Sequence, residues 1–179
     1  MEQQVTCCFT GHRPARLPWG ENESDPRCAA LKQRLALELE TLYRRGFRHF
    51  ISGMAQGCDL YFAEVVLSLR EQREGVTLEC ALPCAAQTER WSRRERLRHR
   101  RIVEQCDVET MVQQNYDRFC MHRRDRYMVE RSAAILAVYG GSGGGTAYTL
   151  ERAMDRKLQI FLLDPTQPEQ QAVELIPPM

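Results

Sequence analysis

Ala133-Ala134-Ile135-Leu136-Ala137-Val138-Tyr139 runs directly into Gly140-Gly141-Ser142-Gly143-Gly144-Gly145-Thr146. The seven apolar residues are too few for a core helix and show no polar alternation, which is how a strand buried on both faces reads. Five of the eleven glycines then fall within six positions, and helix-forming residues continue to about Arg156. A strand, a glycine turn and a helix in that order make the repeating unit of a parallel sheet with crossover helices.

The same unit recurs on either side. Val5 to Thr10 is a strand ending at Gly11-His12-Arg13-Pro14. Ser24-Asp25-Pro26 supplies an N-cap with proline in the first turn, and Leu31, Leu35, Leu39 and Leu42 share one face of a helix stopped by Gly46. Phe47 to Ser52 is a strand running into Gly53-Met54-Ala55-Gln56-Gly57-Cys58-Asp59, and Leu60 to Arg73 is a helix. Val76 to Leu82 is a strand closed by Pro83. Thr88 to Cys106 reads as a helix with a thin apolar stripe of Trp91, Leu97 and Ile102. A short strand at Val108 to Val112, a helix at Tyr116 to Arg131 and a last strand at Leu158 to Leu163 complete the pattern. The expectation is an α/β chain with a single Rossmann-like open, mostly parallel sheet of five or six strands and helices on both faces. Residues 1–164 form that domain. Residues 165–179, proline-rich, are expected as a loosely attached C-terminal tail.

At 179 residues, 43% hydrophobic and 27% charged, with no biased tract, the composition excludes collagen-like, mucin-like and disordered classes. The net charge of +1 hides two asymmetries: 23 of the 25 cationic residues are Arg, and residues 88–131 alone carry 12 cations against 8 acids. Arginine's planar fork suits phosphate and carboxylate, so the skew reads either as anion recognition or as base composition of the coding sequence. The eight cysteines lack Cys-x-x-Cys or zinc-finger spacing, so neither a metal nor another cofactor is expected. No apolar run approaches the about 20 residues of a membrane helix. Met1-Glu2-Gln3-Gln4 lacks the basic-then-apolar pattern of a secretory signal, and a cytoplasmic protein with reduced thiols and no membrane partner is expected.

In open α/β sheets, ligands bind beyond the carboxyl ends of the strands, where glycines admit backbone amides and helix N-termini favour anions. Three strand ends carry that chemistry. The Gly140 to Thr146 turn can form a nest of amides around a phosphate, with Gly141, Gly143, Gly144, Gly145 and Thr146 as candidates, or be a plain surface loop. It is neither a first-turn Gly-x-Gly-x-x-Gly nor a Walker loop, which disfavours a standard NAD dehydrogenase or P-loop NTPase. In the second turn, Gly53 and Gly57 precede Asp59, which either bonds a ribose hydroxyl or caps its helix. Cys58 is either a thiol activated by the helix N-terminus or an inert one. At the first turn, Gly11, His12 and Arg13 either face an anion or satisfy one another locally. The arginines at 90, 93, 94, 96, 98, 100 and 101 are either a nucleic-acid surface or a solvated helix face.

Taken together, Gly11-His12-Arg13-Pro14, then Ser52 to Asp59 with Ala63-Glu64, then Pro83 with Gln87 and Trp91, resemble the YpsA-like family of the SLOG superfamily, a domain group of unknown function. The resemblance runs from about Val5 to Leu163. Met121-His122-Arg123-Arg124 with Met128, followed by the strand and glycine turn, is also similar to the LOG phosphoribohydrolases of that superfamily. There, a Met-His-x-Arg segment and a Gly-Gly-x-Gly-Thr-x-x-Glu loop hold a nucleoside monophosphate, and the Arg and Glu assist cleavage of the base. Arg124 matches the arginine. Thr149 stands where the glutamate would be, and Glu151 lies about 200° further round the helix. Asp59 or Glu64 are then the candidates, beside Arg124, for a catalytic role.

The resemblance implies binding of a nucleotide-derived ligand, such as a nucleoside monophosphate, NAD or ADP-ribose, by a sensor or regulatory protein. A LOG-like hydrolase is the alternative. DNA-binding members of the DprA type in the superfamily make nucleic-acid binding through residues 88–101 a second one. A homo-oligomer is a further expectation drawn from related proteins.

Overall fold

The computed structural model describes residues 2–141 and 143–175. Cys7 and Phe9 point to one side of the first strand and Cys8 to the other, all fully buried, so this strand needs cover on both faces. It is β1, Thr6–Gly11. Asp25 caps α1, Pro26–Arg44, by accepting from the Arg27 N–H. Then follow β2, His49–Ser52, α2, Cys58–Gln72, and β3, Thr77–Leu82. The second half comprises α3, Arg93–Gln105, β4, Val108–Met111, α4, Cys120–Glu130, β5, Ala134–Val138, α5, Gly145–Asp155, β6, Gln159–Leu163, and β7, Val173–Leu175.

The sheet order is β4-β3-β2-β1-β5-β6-β7. Every pairing is parallel except the antiparallel β6–β7. Two buried clusters cover its faces. On one, Leu31, Leu35, Leu39 and Leu42 of α1, Phe62 and Val66 of α2 and Ile102 of α3 meet Phe9, Phe50 and Leu136. On the other, Met128 and Val129 of α4 and Leu150 and Ala153 of α5 meet Cys8, Ile51 and Ile135. No helix among the described residues is long and apolar enough to cross a membrane.

Seven strands form, where five or six were expected. The additional one lies in the segment read as a loose tail, whose residues 176–179 lie outside the described residues. Three residues are too few to show a period, and β7 is held from outside its own sequence. Phe161 pairs with Glu174, Glu174 bonds Arg45 at 2.9 Å, and the Glu38 carboxylate accepts the Ala172 N–H at 2.9 Å. The helix expected from Thr88 starts instead at Arg93, because Ser92 accepts the Glu95 N–H and caps it there.

Candidate functional site

After β1 the chain continues to pair strands on the β2 side, and β5 then starts the other side, so the sheet's order reverses between β1 and β5. Such a switch point leaves a crevice at the carboxyl ends of the two strands. A cavity of about 250 Å³ lies there. Its lining includes Gly11, His12, Arg13 and Arg16 beyond β1, Asp59 at the start of α2, Met121, His122, Arg124, Asp125 and Met128 of α4, and Gly143, Gly145 and Thr146 at the start of α5.

The glycine turn delivers α5's first turn to the cavity. Gly144, at φ +99, is its N-cap and offers no side chain to the helix, so the first amides are left for another acceptor. Thr146 is buried on the cavity side. Gly141 stands outside the lining, and Ser142 lies outside the described residues. Gly57, at φ +85, turns the chain into α2, and a Cβ there would meet the His12 carbonyl oxygen and Pro14 Cδ at 2.9 Å each. It locks the first two strand-end turns together without lining the cavity.

The floor is a charge cluster. Arg124, 5% exposed, donates from Nε to Asp125 Oδ1 at 2.7 Å and from Nη1 to the Gly53 carbonyl. Burial disfavours its cation, but Asp125 and Asp59 outweigh that and raise its pKa. Asp59 accepts the Ala55 N–H at 3.1 Å. Burial pushes its carboxyl up to about 6, against the opposing pull of Arg124. Two carboxylates thus face one guanidinium, whose Nε and Nη1 are already engaged, so the floor suits hydroxyl groups better than phosphate. The exposed Arg13 and Arg16, beside α5's amides, are the cationic groups at the mouth.

His12 is a staple here: its Nε2 accepts the Gly140 N–H at 2.9 Å, which fixes the tautomer with the proton on Nδ1. Burial, then the nearby Arg16 charge, lowers its pKa. It ties the end of β1 to the glycine turn. Cys58 is fully buried and its thiol is pushed well up by burial, which favours the inert alternative. Glu64 does not reach the cavity. It faces outward and accepts from Arg98 Nε at 2.9 Å. Thr149, at the position of the LOG glutamate, donates to the Gly145 carbonyl at 2.9 Å, and Glu151 is exposed.

Three contributors, Asp125, Arg16 and His99, escaped the sequence reading, and a fourth, Gln87, figured there only in the family resemblance. Asp125 adjoins Arg124 and shares a helix face with Met121 and Met128, a spacing that was there to be read. Arg16 lies one turn beyond Arg13. Gln87 donates to the same Gly53 carbonyl at 3.0 Å and meets His99 Nε2 at 3.1 Å. His99, whose pKa burial lowers to about 4, braces that contact. In α3, Arg98 is tied to Glu23 and Glu64. Arg90, Arg93, Arg94, Arg96, Arg100 and Arg101 are exposed and make no ion pair among the described residues.

A doubly wound α/β sheet with a cavity at the switch point defines the class: a Rossmann-like α/β domain. The YspA SLOG family model matches residues 7–167, and the chain belongs to that family. It is similar to UPF0398 proteins of Bacillus pumilus, 25% identical over 76% of this chain and 74% of that one, and of Bacillus cereus strain G9842, 27% identical over 80% and 79%. Among solved structures, it resembles DNA processing protein A of Helicobacter pylori, whose single-stranded DNA binding mode that structure addresses, with a TM-score of 0.60 at 14% identity over 91% of this chain and 70% of that one. DNA processing protein A of Streptococcus pneumoniae aligns with a TM-score of 0.57 at 15% identity. This chain spans about half of that protein, 49%, with 88% of its own length.

Proposed function

We propose that the switch-point cavity binds a nucleotide-derived ligand of the nucleoside monophosphate, NAD or ADP-ribose type, in a sensor or regulatory role. The observation that carries this reading is the convergence of all three strand-end turns and Arg124 on one cavity that opens on the uncapped start of α5. Phosphate belongs on the amides of Gly145 and Thr146 with Arg13 and Arg16 at the mouth, and ribose hydroxyls belong on Asp59 and Asp125. Family membership agrees with a nucleotide-related ligand. Titration calorimetry against a panel of nucleoside monophosphates, NAD and ADP-ribose tests it. Arg124→Ala is expected to weaken the ligand found by about 1.5 to 3 kcal/mol, since it removes a charged donor and leaves two carboxylates unpaired. Unchanged affinity overturns the assignment.

A LOG-like hydrolysis would require Asp59 or Asp125 to serve as the carboxylate that Thr149 replaces. Release of free base from a monophosphate, abolished in Asp59→Asn, is its signature.

The second reading, nucleic-acid binding, is favoured by the six exposed arginines at residues 90–101 that make no ion pair among the described residues and by the likeness to the Helicobacter pylori protein. Its mark is an affinity for single-stranded DNA that falls steeply with salt. A flat salt response removes it.

A further inference from the structure

His122 stands apart from the charged floor. Its ring lines the cavity and is exposed. It lies nearly parallel to the Tyr148 ring, with centroids 4.0 Å apart and planes 16° apart. The side chain makes no hydrogen bond among the described residues. Tyr148 is backed in turn by the Arg152 guanidinium, 5.6 Å from its ring centroid. The Tyr148 N–H bonds the Gly144 carbonyl at 3.1 Å, so this stack sits one helical turn, about 5.4 Å, from the uncapped start of α5. The imidazole is therefore covered on one face by Tyr148, and the exposed residue lines the cavity. A ring held in place in advance loses little freedom when a second planar group settles on it.

The cavity's size says which group that is. About 250 Å³ lies below the roughly 300 to 1,000 Å³ of pockets that enclose a whole small ligand. On the nucleotide reading above, the sugar phosphate would lie between the amides of α5 and the carboxylates of the floor, and the rest of a nucleotide would extend toward the exposed His122, which also lines the cavity.

We infer that the exposed ring of His122, backed by Tyr148, is the seat of the ligand's nucleobase. This rests on the nucleotide reading above and adds to it a subsite that charge alone does not provide. Stacking of a base on an aromatic side chain is tolerant of base identity, so the shelf supplies affinity for a planar heterocycle and leaves its identity to other contacts.

The test compares two probes on three proteins by calorimetry: ribose 5-phosphate, and the tightest of the four common nucleoside 5′-monophosphates, against the parent, His122→Ala and His122→Phe. His122 is exposed, so both variants are expected to fold, which circular dichroism checks. The inference expects His122→Ala to weaken the nucleotide by about 5- to 100-fold, with ribose 5-phosphate unchanged, and His122→Phe to retain most of the nucleotide affinity. Equal weakening of both probes, or of neither, overturns the base subsite while leaving the cavity's assignment standing. Failure of the parent to bind ribose 5-phosphate, any of the four monophosphates, NAD or ADP-ribose overturns the nucleotide reading itself.

Discussion

Replacing Asp59 by Asn is expected to stabilise the protein at neutral pH and to leave it nearly unchanged near pH 4. Asp59 is 5% exposed, and burial raises its carboxyl from 3.8 to about 6. Folding thus favours the protonated form. Below pH about 4 both the folded and the unfolded chain hold the proton, and the group costs nothing. Between about 4 and 6 the unfolded chain ionises while the folded chain resists, so stability falls as pH rises and levels off above about 7. The loss is about 3 kcal/mol, at about 1.4 kcal/mol for each tenfold change in proton affinity. Asparagine mimics the neutral acid in shape, and its Oδ1 can still accept the Ala55 N–H. The gain therefore appears only where Asp59 would be ionised. Urea unfolding at pH 4 and pH 7.5 reads it: with a slope of about 2 kcal/mol/M, the Asp59→Asn midpoint rises by roughly 1 to 2 M at pH 7.5 relative to the parent. A variant destabilised equally at both pH values would refute the reasoning, since it would mean that the charge of Asp59 supports Arg124 more than burial opposes it.

Gly53→Ala places a Cβ 2.8 Å from Cδ, Nε and Cζ of Arg124, a side chain already anchored by Asp125, so a loss of about 1 to 3 kcal/mol in thermal or urea unfolding is expected together with weakened ligand binding. Gly57→Ala combines φ +85 with contacts of 2.9 Å to His12 and Pro14, and is expected to cost roughly 1 to 3 kcal/mol by the same measurement. Deleting residues 166–179 removes β7 with the Arg45–Glu174 pair, and scanning calorimetry should show a Tm lower by several degrees.

The strands and their order along the chain were legible because β1, β2, β3, β5 and β6 are short apolar runs closed by turn residues. β7 was not, because its hold on the sheet comes from Glu38, Arg45 and Phe161, all distant in sequence. The convergence of the strand-end turns was legible from position alone. What each side chain does there was less so. His12 reads either as facing an anion or as satisfied locally, and its Nε2 accepts from Gly140, a partner 128 residues away. Arg124 reads as a charged donor to the ligand, and only folding brings Asp59 beside it and buries both. Asp59 and Glu64 could have been separated in advance: five residues apart on α2, they lie about 140° apart around the helix at about 100° per residue, so both cannot face the crevice.

The most direct test of the central claim is a two-dimensional amide NMR titration of the protein with the nucleoside monophosphate that calorimetry selects. The account expects the amide resonances of Gly143, Gly144, Gly145 and Thr146 to shift together and saturably, with those of residues 93–101 unmoved. Shifts confined to residues 93–101, with the glycine turn silent, would contradict it.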